Sequence, residues 1–233
     1  MKKIIIAVLV FVMMLSLNAC CIVVPGGSFT HRDDAEPVTT KPTADAKTES
    51  AEGGFRKGII SGDTYESDYA GIGFALPEGW HFSSAEEIRI FNCIAWNLNE
   101  ADYEEALEYA PYLYDMFVMD DDSGMISVPV VLEKDDALPS APKDMHRYLN
   151  GRISDVQGYL ERSGYSDVSC RIDTVTIDGR KMECIYSTYN LVGTPLYQCK
   201  LYFWCEDGVV AKIPVVAESE EELQLLLDCI YLL

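Results

Sequence analysis

Residues 166–217 read SDVSCRIDTVTIDGRKMECIYSTYNLVGTPLYQCKLYFWCEDGVVAKIPVVA, a stretch dense in strand-forming residues and turn signals. Apolar and β-branched residues fill four runs, at about 166–177, 180–191, 195–205 and 208–216, each of strand length. Asp178-Gly179 and Asp207-Gly208 separate runs as two-residue hairpin signals, because the tight turns that match strand twist need positive φ at both central positions. Strands joined this way are antiparallel, so the stretch predicts a four-strand meander.

Working outward, a long helix precedes the meander. Pro142 opens it, Met145, Tyr148, Leu149, Ile153, Val156 and Leu160 share one face, and Gly164 fits a left-handed C-terminal cap. Before it, Leu113 to Met119 and Met125 to Leu132 read as two antiparallel strands joined by the turn Asp120-Asp121-Asp122-Ser123-Gly124. Earlier still, Gly58 to Tyr65 holds two short strands around Ser61-Gly62-Asp63. Ile72, Phe74 and Leu76 alternate up to Pro77, and Trp80 and Phe82 alternate again.

Ser84-Ala85-Glu86-Glu87 has the spacing in which a hydroxyl and a carboxylate satisfy each other's end of a helix, and Ile88, Phe91, Ile94 and Leu98 follow at helical spacing. Glu100 to Tyr109 predicts a short helix stopped by Pro111. Ser219 to Glu222 repeats the capping spacing before Leu223, Leu226, Leu227 and Ile230. Runs of hairpin-linked strands with segregated amphipathic helices define an α+β class.

The chain before this domain reads differently. Lys2 and Lys3 precede an apolar run from Ile4 to Leu17, shorter than the ~20 residues that span a bilayer. Leu17-Asn18-Ala19-Cys20 then resembles the lipobox of bacterial lipoproteins, which implies diacylglycerol on Cys20 and cleavage before it. Residues 1–19 are thus expected as a signal peptide and 20–54 as a lipid-anchored, disordered tether rich in small and polar residues. Its flexible part would span about 30 Å. Residues 55–233 are expected as one domain, on the extracytoplasmic face of the plasma membrane.

The 233 residues are 48% apolar, with 38 Asp and Glu against 18 Lys and Arg, for a net charge of −20. That excess excludes nucleic acid and other polyanions as partners, because binding them requires clustered cations.

The run from Tyr65 to Trp80, with Gly71-Ile72-Gly73-Phe74-Ala75-Leu76-Pro77-Glu78-Gly79-Trp80 at its end, leads into a capped helix, and the hairpin Asp115 to Val128 follows. Together they resemble the PsbP-like family and its small secreted or lipid-anchored Gram-positive relatives. The resemblance implies an α/β/α sandwich with a central antiparallel sheet, and it transfers no catalytic residue. Its members serve as scaffolds or binding modules.

Few residues of the chain carry a recognisable chemical motif. Three histidines, His31, His81 and His146, have no zinc spacing. His81 is expected to point away from Trp80 and Phe82. Cys93, Cys170, Cys184, Cys199, Cys205 and Cys229 form no CxxC. They read first as free buried thiols, with cross-strand pairing of Cys199 or Cys205 to Cys184 or Cys170 competing.

The turn 120–124 reads first as a solvated hairpin. In the competing calcium reading Asp120 and Asp122 are the candidate metal ligands, but Gly124 falls fifth and Val131 twelfth, where a calcium loop needs Gly sixth and Glu twelfth. Tyr103, Tyr109, Tyr112 and Tyr114, and Tyr186, Tyr189, Tyr197 and Tyr202, suit either ligand binding or sheet packing.

No catalytic residue and no cofactor are expected. The first functional expectation is a non-catalytic surface lipoprotein, held to the membrane by lipid on Cys20, that binds a protein partner or small ligand. A carboxylate-dependent hydrolase of extracellular or wall polymers and a transporter's solute-binding lipoprotein are the alternatives.

Overall fold

The computed structural model describes residues 55–136, 144–206 and 208–233. The leader, Cys20, the tether, His31, Pro142 and Asp207 lie outside them.

The strands are β1 (Ile59–Ser61), β2 (Thr64–Ser67), β3 (Ile72–Ala75), β4 (Trp80–Phe82), β5 (Tyr112–Asp120), β6 (Ile126–Lys134), β7 (Ser166–Ile177), β8 (Arg180–Leu191), β9 (Thr194–Trp204), β10 (Val209–Ala217) and β11 (Ile230–Leu232). The α-helices are α1 (Ala85–Trp96), α2 (Tyr103–Tyr109), α3 (Met145–Arg162) and α4 (Glu220–Asp228), with a 3₁₀ turn over Glu100–Asp102 leading into α2. A central sheet runs β4-β5-β6-β10-β9-β8-β7, and a smaller one runs β1-β2-β3-β11. Every pairing is antiparallel. The α+β class holds.

Alternation along the strands splits the central sheet into two apolar faces. On one, Tyr114, Phe117, Ile185, Tyr189 and Tyr202 pack under Phe91 of α1 and Leu149, Val156 and Leu160 of α3. On the other, Met116, Val130, Leu201, Ala211 and Val215 meet Leu223, Leu226 and Leu227 of α4 together with Tyr65, Ile72, Phe74 and Ile230 of the small sheet. Helices therefore lie on both sides, as the family resemblance implies, but the small sheet shares the second outer layer with α4. Ile230 contributes from β11, a strand beside β3, and not from the closing helix.

Local signals explain most boundaries. Ser84 caps α1: its hydroxyl accepts from Glu87 N at 3.2 Å, and Glu87 Oε2 accepts from Ser84 N at 2.8 Å. The helix stops at Asn97, whose φ of 55° is left-handed. At α4 the box is only half closed. Ser219 Oγ accepts from Glu222 N at 3.1 Å, while the Glu222 carboxylate accepts from Glu218 N at 3.0 Å. Asp178-Gly179 makes the expected turn, with φ of 47° and 74°.

The β8–β9 connection carries no such signal, yet Val192-Gly193 adopts the same conformation, with φ of 52° and 86°. A β-branched residue crowds its own backbone there, and Val192, 89% exposed, recovers nothing from packing. Val192→Asn is therefore expected to raise stability by about 1 kcal/mol, read by urea denaturation. Equal or lower stability would contradict the strain at this turn.

Candidate functional site

β4 ends at Phe82, so β5 continues beyond its edge partner. Helix α1 fills the gap with one buried side chain. Asn92 Nδ2 donates to Tyr114 O and Tyr114 N donates to Asn92 Oδ1, both at 2.9 Å. The amide thus stands in for a neighbouring strand and leaves neither main-chain group of Tyr114 orphaned.

Immediately after Tyr114 the β5–β6 register slips: Tyr114 pairs with Val131, and Met116 with Val130. Asp115 is the extra residue. A bulge of this kind re-aims a side chain, and here it sends Asp115 into the layer between the two sheets. Asp115 Oδ2 accepts from the Tyr65 hydroxyl at 2.6 Å and from Gly58 N at 2.8 Å. A Cβ on Gly58 would come within 2.3 Å of the Tyr65 ring, so only glycine lets the backbone approach this closely.

Asp115 forms part of the wall of a cleft of about 760 Å³. Lys57, Gly58, Ile60 and Leu76 come from the small-sheet side, His81 and Phe82 from β4, Ser84, Ala85 and Ile88 from α1, and Tyr103 and Glu104 from α2. Asp115 is only 8% exposed. Burial pushes its carboxyl above the ordinary carboxylate value, and the Tyr65 and Gly58 bonds and nearby Lys57 offset part of that push. Burial also raises Tyr65, with the Asp115 charge adding to it, so the phenol stays a proton donor.

The basic groups of the cleft each have a partner. Lys57 Nζ donates to the Tyr103 hydroxyl at 3.3 Å and sits 5.2 Å from that ring's centre. Trp96 stacks on the same ring, with centroids 5.6 Å apart. Arg89 bonds Glu86 at 2.8 Å and Glu100 at 2.5 Å. His81 is exposed, as expected, and its Nδ1 lies 2.5 Å from Asp121 Oδ1.

Of the residues that the sequence singled out, His81, Tyr103 and Tyr114 line the cleft, whereas the metal candidates Asp120 and Asp122 are not part of its lining. Asp120 Oδ1 accepts from Asp122 N at 2.8 Å and Ser123 N at 2.6 Å, which folds the turn on itself and leaves Asp122 in solvent. Among the described residues no three His, Cys, Asp or Glu side chains are placed to hold a metal.

All six cysteines of the domain are free. Cys184 and Cys199 lie wholly buried in the same core, and the neighbouring Cys184 thiol, with burial, pushes Cys199 up. Burial raises Cys205 to about 11. Cys170 packs with the opposite face, 3.2 Å from the Ser187 hydroxyl, and so away from Cys199 and Cys205. None of these thiols is the exposed thiolate that nucleophilic chemistry requires.

A second charged cluster lies toward α3. The Tyr148 hydroxyl donates to Asp135 at 2.7 Å, Arg152 also bonds Asp135, and Lys212 Nζ meets Glu133 at 2.5 Å. Burial and the neighbouring Lys212 bring Lys200 down to about 8. Arg152 and Lys212 each have a carboxylate of their own, and the cluster reads as part of the docking of α3.

Sequence reasoning passed over Asp115 because a polar residue in an alternating strand reads as solvent-facing. The available signal was the company it keeps. Leu113, Tyr114, Met116, Phe117 and Val118 are apolar at both parities, which marks a strand covered on both faces. A lone carboxylate in such a run has no solvent side to face.

Because its native pKa lies above the unfolded value, the folded protein favours the protonated form of Asp115 more than the unfolded chain does. Its contribution is fully present below the ordinary value of 3.8 and is lost as pH rises through the raised native value. The stability of the wild type minus that of Asp115→Asn should therefore fall as pH is raised from about 4.5 toward 8, by urea denaturation. A difference that grows with pH would mean that the fold stabilises the anion.

No protein-family model matches the sequence, and no curated protein matches it. The chain is similar to the solution structure of cyanobacterial PsbP (CyanoP) from Synechocystis sp. PCC 6803, at 11% identity and a TM-score of 0.42, over 73% of this chain and 91% of that one. It is also similar to PA94 from Pseudomonas aeruginosa, a protein of unknown function described as a putative regulator, at 12% identity and a TM-score of 0.28. That second likeness spans 42% of this chain and 62% of the other. At these identities and scores neither likeness says what the cleft binds.

Proposed function

We propose that the protein is a non-catalytic lipoprotein, anchored through Cys20 on the extracytoplasmic face of the membrane, whose domain binds a small ligand in the cleft beside Asp115. The observation that carries this reading is a buried carboxylate lining a cleft of about 760 Å³, a volume in the range of small-molecule sites.

Binding is favoured over catalysis by what surrounds that carboxylate. Tyr65 and Gly58 fix it in place, the Ser84 hydroxyl is spent on capping α1, and His81 is paired with Asp121. Among the described residues no hydrogen bond joins the Ser83 or Ser84 hydroxyl to His81, the pairing by which a base activates a nucleophile. Ser83 Oγ donates to Met119 Sδ, Ser84 Oγ to Glu87, and His81 pairs with Asp121. A hydrolase of the two-carboxylate kind needs a second acid opposite the first. Asp63 and Glu104, the other carboxylates of the cleft, are exposed. A solute-binding protein of the two-lobed kind needs a hinge, whereas here both sheets contribute to one apolar core.

The anchor rests on the lipobox resemblance at Leu17 to Cys20 and the polar stretch after it. Among the described residues no helix is long and apolar enough to cross a membrane.

The test uses the full-length protein made with its own leader. Wild type is expected in the membrane fraction and Cys20→Ala outside it. Wild type extracted in mild detergent and then denatured should release a small molecule detected by mass spectrometry, and Ala85→Trp, which fills the cleft, should release none. Membrane retention of Cys20→Ala equal to wild type would overturn the anchor. Hydrolysis of a wall or glycan polymer that Asp115→Asn abolishes would replace binding with catalysis.

A further inference from the structure

We infer that the cleft selects a small organic cation, a primary ammonium carried on an apolar body, whose N–H groups bond Asp115 Oδ1. This rests on the reading of the cleft as a ligand site and adds the class of ligand.

The two oxygens of Asp115 are not equivalent. Oδ2 accepts from both Tyr65 and Gly58, whereas Oδ1 accepts from no group among the described residues. The side chain is more than nine-tenths buried and lines the cleft. Oδ1 is therefore free to accept from a ligand, and no cation is in hydrogen-bonding contact with the carboxylate among the described residues. An ammonium supplies a donor and a contacting charge, through a charge-assisted hydrogen bond that a neutral donor cannot equal.

The cations already in the cleft do not fill that role. Lys57 is turned to the hydroxyl and face of Tyr103, Arg89 is held by Glu86 and Glu100, and His81 is held by Asp121. None of the three hydrogen-bonds Asp115, although Lys57 lies near enough for its charge to offset part of the cost of burying the carboxylate.

The remaining lining sorts the ligand further. An anionic ligand would meet Asp115 within the cleft and Asp63 and Glu104 beside it, inside a chain of net charge −20. A metal ion would need several oxygen or nitrogen ligands, and no such group is assembled among the described residues. Ile60, Leu76, Phe82 and Ile88 line the cleft with apolar surface. That combination suits an amine with a hydrocarbon or aromatic body.

Three probes of matched shape separate the possibilities: 2-phenylethylammonium, neutral 2-phenylethanol and anionic 3-phenylpropionate. Each is titrated into the detergent-extracted, isotope-labelled lipoprotein, and amide shifts of Gly58, Ser84 and Tyr103 report occupancy. The ammonium should bind at least about tenfold more tightly than the alcohol, and Asp115→Asn should erase that advantage. Ala85→Trp, which keeps Asp115, should abolish binding and serves as the second variant should Asp115→Asn fail to fold.

Equal binding of alcohol and ammonium, or preference for the propionate, overturns the inference while leaving the cleft a ligand site. If none of the three moves the cleft amides, the inference falls, and release of a small molecule from the native protein still decides the parent reading separately.

Discussion

A carboxylate placed between two β-sheets sets the terms for the rest of this structure. Water would solvate Asp115 far better than the surrounding side chains do, and the effective penalty for burying an ion is several kcal/mol. Two donors reduce it. The Tyr65 hydroxyl reaches Oδ2 from the small sheet, and the Gly58 main chain reaches it from the segment before β1. These bonds tie the small sheet to the central one at a defined point. The β5 bulge that delivers Asp115 is in turn held beside α1 by Asn92, whose amide satisfies both main-chain groups of Tyr114. One irregular residue therefore fixes how three elements meet, and the cleft is the space left between them.

Two charged clusters show what distinguishes a structural group from a receptive one. Toward α3, Asp135 receives Tyr148 and Arg152, and Glu133 receives Lys212. Those charges answer one another and help to seat a helix. In the cleft, Asp115 has two donors on one oxygen and none on the other among the described residues. Desolvation raises the carboxyl, so the site is poised to change protonation when a cation arrives. The net charge of −20 gives the cleft a surrounding field of the same sign as Asp115.

The regular parts of the fold were legible because short-range chemistry fixes them. Asp178-Gly179 marks a hairpin through its backbone freedom, and Ser84 with Glu87 marks the start of α1 through its hydrogen bonds. Val192-Gly193 performs the same task as Asp178-Gly179 without the favoured first residue, and the core on either side of it imposes the turn. Strand β11 escaped notice because its three residues continue the apolar pattern of α4, and only pairing with β3 reveals them. Asp115 was illegible as a site for a deeper reason. Its direction depends on a one-residue slip of β5 against β6, and register is a property of two strands together. The turn at Asp120 drew attention through its density of acids, yet those acids serve the turn and the solvent.

The central claim is that Asp115 is a buried carboxyl with an unfilled place for a donor. A carboxyl carbon-13 titration of labelled protein measures this directly, with Asp115→Asn assigning the signal. The account predicts a pKa above the ordinary value of 3.8 in the free protein and a fall toward that value when 2-phenylethylammonium is added. A pKa at or below 3.8 in the free protein, unmoved by the amine, would contradict it.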